Sequence, residues 1–159
     1  MFLSLRSDLT WQWDEEGYLR PEPDVEIISA SGVNISETVD ESMGQTTYEF
    51  TFLTSSTLTQ AEALIFTITN SGSELHEAVV FQLAEGTDPL GVLDGSVAFE
   101  DVDFYGALAP IFPGETRNLA LLNLEPGTYT LICFLPGPDG VPHAVNGMIA
   151  QFEVDPSAA

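Results

Sequence analysis

Apolar and polar residues alternate along most of this chain, and a helical period is hard to find in it. The clearest case is Thr46-Thr47-Tyr48-Glu49-Phe50-Thr51-Phe52, where an extended backbone puts Tyr48, Phe50 and Phe52 on one face. Val25 to Ala30, Ala63 to Thr69, His76 to Leu83, Thr116 to Leu124, Thr128 to Phe134 and Gly147 to Val154 read as further short strands, rich in β-branched and aromatic residues. Turn formers separate them: the polar, turn-rich stretch 31–44, then Asn70-Ser71-Gly72-Ser73, Pro113-Gly114 and Glu125-Pro126-Gly127. About seven to eight such strands predict an all-β chain folded as a β-sandwich.

Two stretches depart from the pattern. Residues 85–113 are rich in Gly, Asp and Pro, with Phe99, Phe104, Tyr105 and Phe112 among them. They read as a long excursion with a helical turn, which a compact domain keeps only if it has a task or packs as a unit. Residues 1–23 carry Trp11, Trp13, Pro21 and Pro23 and read as an N-terminal arm. A single domain over 24–154 and a small-residue tail over 155–159 complete the division, without internal repeats.

Charge narrows the functional classes. Asp and Glu number 25 against 3 arginines, lysine is absent, and the net charge is −22. Nucleic acid requires cationic surface to displace counterions, so it is excluded as a partner, and anionic membrane surfaces are disfavoured for the same reason. The acidity suits a partner with a cationic docking face, or a saline habitat that screens self-repulsion. No apolar run reaches the length of about 18 residues that a membrane span needs. Met1-Phe2-Leu3-Ser4-Leu5-Arg6 is too short for the apolar part of a signal peptide.

Candidate chemistry rests on scarce residues. The chain has one cysteine, Cys133, and two histidines, His76 and His143, with Met148 close behind. Taken singly, each has a plainer use: a buried cysteine acts as a small hydrophobe, a histidine bonds at a strand edge and a methionine fills a core. Together they are the donor set of a blue copper site, trigonal His₂Cys with a weak axial thioether. Cys133 ends a strand, His143 returns after the proline- and glycine-rich loop 134–142, and His76 opens a neighbouring strand.

The pattern Asn70…His76…Pro126-Gly127-x-Tyr129-x-x-x-Cys133…Pro142-His143-x-x-x-Gly147-Met148 resembles the cupredoxins, the plastocyanin, azurin and auracyanin group, over residues 45–154. Its nearest likeness is to small exported prokaryotic domains of that kind. The resemblance implies a Greek-key β-sandwich with one type 1 copper site at one end. His76, Cys133, His143 and Met148 would be its ligands, in a monomeric electron carrier, periplasmic or extracellular, whose signal is not in this sequence. His143 would be an exposed edge for electron passage, ringed by Val141, Pro142, Ala144 and Val145. The chain departs from the family in the nine residues between Cys133 and His143, a longer gap than the well-known members have. A module of the same shape that has lost copper, or one that stores or delivers it, stays open as the alternative.

Enzymatic readings find little support. No G-x-S-x-G, P-loop or Rossmann glycine pattern occurs, and a Cys133–His143 nucleophilic pair lacks any hydrolase signature around it. Two histidines are too few for the further copper centres of a multicopper oxidase. Asp101-Val102-Asp103-Phe104-Tyr105-Gly106 begins like a calcium loop but has Phe112 where a bidentate Glu belongs. Asn34-Ile35-Ser36 is a glycosylation sequon of low information.

Overall fold

The computed structural model describes residues 11–13, 19–21, 27–53, 55–60 and 63–156. Most of the arm, the residues Val25 and Glu26 and the end of the tail lie outside them. Within the arm, β1 (Trp11–Trp13) and β2 (Leu19–Pro21) pair antiparallel. Two mixed sheets follow. One holds β4 (Gln45–Phe52), β3 (Ile27–Asp40), β6 (Ala63–Asn70) and β9 (Thr116–Leu122), in that spatial order. The other holds β5 (Thr57–Thr59), β11 (Ile149–Asp155), β10 (Gly127–Ile132), β7 (His76–Gln82) and β8 (Asp103–Ile111). The chain passes repeatedly from one sheet to the other, and β3–β6 and β11–β5 run parallel.

Alternation explains the packing. In β4 the buried positions are Tyr48 and Phe50, and in β6 they include Leu64, Phe66 and Ile68. Their side chains meet Tyr129, Leu131 and Phe152 of the facing sheet in one core. Phe66 stands edge-on to Phe152 at 5.1 Å between ring centroids, and Tyr129 stacks on Phe152 at 5.4 Å. Such aromatic pairs stabilise beyond the area they bury.

Three elements differ from the expected ones. The polar stretch 31–40 is strand, not turn: β3 runs for 14 residues. Its first part lies between β6 and β4, and Val33 and Ile35 are buried there. Ser36 to Asp40 pair with β4 only, as a hairpin overhanging the sandwich, where no apolar alternation is needed. The short edge strand β5 was also not expected. Finally, 85–113 is no open excursion. A short helix, α1 (Gly91–Asp94), brings Leu90, Val92 and Leu93 onto Val79, Phe81 and Ile132, on the outer face of the five-stranded sheet. Then β8 adds a sheet edge beside β7. This cover explains why β7 is buried on both faces and reads as a continuous apolar run. Among the described residues no helix is long and apolar enough to cross a membrane.

Candidate metal centre

The three rare residues converge at one end of the sandwich. His76 is the first residue of β7, opposite Ile111 of β8. Cys133 follows the last residue of β10, which pairs with β7. His143 comes back through the long loop, and the way it does so accounts for the gap of nine residues. The loop is itself a small hairpin: the amide of Gly137 donates to the Val141 carbonyl at 2.9 Å, and the amide of His143 to the Leu135 carbonyl at 2.8 Å. Pro136 and Pro142 face each other across it. The detour closes on itself, so His143 arrives opposite Leu135 as if the intervening residues were absent. The Ala144 amide then donates to the Cys133 carbonyl at 3.0 Å, tying the far end of the loop to its start.

One ligand atom from each of His76, Cys133 and His143 lies within 4.8 Å of the others, and all three residues are buried. His143 Nδ1 is 3.5 Å from Cys133 Sγ. Met148 is wholly buried and joined by backbone to both Cys133 and His143: its amide donates to the His143 carbonyl at 2.9 Å, and its carbonyl accepts from the Cys133 amide at 3.2 Å.

Both imidazoles are held from behind by carboxylates. His76 Nε2 lies 3.1 Å from Glu37 Oε1, and His143 Nε2 lies 3.0 Å from Glu74 Oε2. An ionised carboxylate only accepts, so each Nε2 carries a proton, and in a neutral ring that leaves Nδ1 its lone pair. Tyr48 stacks on His143 at 4.0 Å between centroids, and its hydroxyl donates to Glu74 at 3.1 Å. Glu37 and Glu74 were not identified in the sequence. Glu74 sits two residues before His76 in a polar turn, a weak signal; Glu37 lies far away on β3, and only the fold brings it in.

The expectation of an exposed His143 is overturned. The residue is 1% exposed, as is Ala144, whereas Val145 is 52% exposed. Tyr48 covers one face of the ring, and Glu74 takes the nitrogen that would otherwise meet solvent.

Electrostatics follow from burial. Desolvation pushes the Cys133 thiol up to about 11, although the amides of Glu77 and Leu135 donate to its sulfur and oppose the rise. Desolvation also lowers His76, against the hydrogen bond it donates to Glu37 and with the neighbouring His143 adding to the fall. Glu37 itself is held down at about 2: burial works against its charge, but bonds from Ser73, His76 and the Glu74 amide outweigh it.

The pocket tests what it would accept. Among the described residues His76 Nδ1 is the buried side-chain nitrogen or oxygen that has no hydrogen-bond partner. Burying such an atom unpaired costs free energy, and the residue that carries it converges with a thiol and a second imidazole. Two imidazoles and a thiol that can lose its proton suit a thiophilic ion such as copper.

No family model and no curated protein matches the sequence. Solved structures do. Auracyanin from the photosynthetic bacterium Roseiflexus castenholzii, in a dithionite-reduced crystal, superposes with a TM-score of 0.50 at 16% identity, over 80% of this chain and 97% of that one. A multi-copper oxidase from Pseudomonas thermotolerans gives 0.51 at 11% identity, over 84% of this chain but only 31% of its own. The fold is that of the cupredoxins. Within this fold the cluster lies where β7, β10 and the 133–148 loop meet.

Proposed function

We propose that this chain is a type 1 copper protein that carries electrons. His76 and His143 would bind one ion through Nδ1, Cys133 through its sulfur, and Met148 would supply the weak axial thioether. Bound copper would supply a one-electron couple with strong covalency to the thiolate. The chain's own residues would do the rest. The sandwich holds the donors in place for both oxidation states, Tyr48 and the loop exclude water, and the amides of Glu77 and Leu135 stabilise the thiolate. The partner would be a redox protein with a cationic face, matched to a net charge of −22 and steered to it at low salt. A location outside the cytoplasm is part of the same reading.

The orphaned Nδ1 of His76, close to a buried thiol and a second imidazole, carries this conclusion. A copper-free module would leave that atom at a cost with no return. Adding Cu(II) to the purified protein tests it. An intense visible thiolate-to-copper band with narrow copper hyperfine splitting is expected. A colourless protein whose thiol still titrates would overturn the reading.

A further inference from the structure

Two carboxylates outside the donor set share the work of placing it. Glu37 is anchored before it meets the imidazole. Its Oε1 accepts the amides of Ser73 and Glu74, each at 2.9 Å, and its Oε2 accepts the Ser73 hydroxyl at 2.8 Å. The turn that leads into β7 is thereby folded around the same carboxylate that receives His76 Nε2. Gly72 is part of this arrangement, since a Cβ there would run into the Glu37 carboxylate. Glu74 is anchored by Tyr48, whose hydroxyl lies 3.1 and 3.2 Å from its two oxygens. His143 is therefore fixed on its face by the tyrosine ring and on its edge by the carboxylate.

We infer that Glu37 and Glu74 are positioning residues for the ligands. Each takes the Nε2–H of one imidazole, fixes the tautomer that turns Nδ1 toward Cys133, and sets a negative charge one ring away from the ion. The effect of that charge rests on the copper reading; the tautomers do not. Carboxylates bonded to ligand imidazoles raise ligand basicity. Anions so placed stabilise Cu(II) more than Cu(I) and hold the reduction potential down.

The variants E37Q, E74Q and E74A test this with two readouts. In the metal-free protein, nitrogen NMR of the side chains should show both neutral imidazoles as Nε2–H tautomers. E74A should give His143 a mixture, while E74Q, which can still accept the hydrogen bond, should restore the single form. In the copper-loaded protein E37Q and E74Q should keep the visible band and raise the potential. A tenfold weaker preference for Cu(II) would read as about 59 mV. If an E37Q chain fails to fold, the Glu74 pair carries the test alone. Nδ1–H tautomers in the parent protein would overturn the inference, as would Gln variants whose potentials do not move. A parent that keeps both Nε2–H tautomers, with the E74A change, but takes up no copper would support the clamp and overturn the proposed function.

Discussion

Tyr48 lies nearly flat on His143, with ring planes 27° apart, and donates its hydroxyl to the glutamate that receives the same histidine's Nε2–H. One residue of the four-stranded sheet thus supports a ring from the loop in two ways. Tyr48→Phe removes only the hydroxyl. It should lower stability by about 1 kcal/mol, the usual net worth of one hydrogen bond, and leave the copper band in place. Tyr48→Ala removes the ring as well and should cost roughly 3–5 kcal/mol. Urea unfolding of the metal-free variants measures both.

The donor set makes unequal demands. Cys133→Ser should abolish the visible band, because the colour belongs to the thiolate. Met148→Leu nearly conserves volume and should cost less than about 1.5 kcal/mol. It should keep the band and shift the potential, which voltammetry reads.

Stability of the metal-free protein should be greatest between about pH 6.5 and pH 9. On the alkaline side, Cys133 is raised to about 11 and Tyr48, by burial and by Glu74, to about 12. Groups raised on folding stabilise below their unfolded values and lose that contribution as pH climbs through the folded ones. On the acid side, His76 is lowered, so its contribution fades as pH falls below 6.5. Glu37, lowered from 4.5 to about 2, follows further down. Thermal melts across this range check the shape. Copper uptake should release the thiol proton and tighten as pH rises.

Two glycines admit the loop to the site. Gly147 has φ +105°, a conformation that favours glycine, and a Cβ there would meet the Tyr48 carbonyl at 3.0 Å. Gly147→Ala should destabilise by roughly 1–3 kcal/mol. At Gly137 a Cβ would press on the Tyr48 hydroxyl at 2.9 Å. Gly137→Ala should therefore disturb Tyr48 and its bond to Glu74 more than overall stability, which the copper spectrum and a melt together would separate.

Much of this was legible in the chain because the information is local. Alternation at Tyr48, Phe50 and Phe52 points to β4, and the scarcity of Cys133, His143 and His76 points to the three residues that converge. What the sequence concealed depends on distance. Ser36 to Asp40 look like turn because they pair with β4 alone and carry no buried apolar residue; Glu37 is covered there by polar contacts instead. Glu37 is 39 positions from His76, and no spacing rule connects them. The nine residues of the long loop set it apart from the family pattern along the chain, whereas its own hairpin bonds bring its two ends together.

The centre draws on both layers of the sandwich. Its three convergent donors come from β7 and from the loop that follows β10, whereas Glu37 and Tyr48 reach them from β3 and β4. A metal ion seated there would join parts of one sheet directly and reach the other only through Glu37 and Tyr48. Any parting of the layers would strip the imidazoles of their backing before a single ligand had moved. The potential of a bound ion would then shift before its colour was lost, which makes the centre an internal gauge of the tertiary structure.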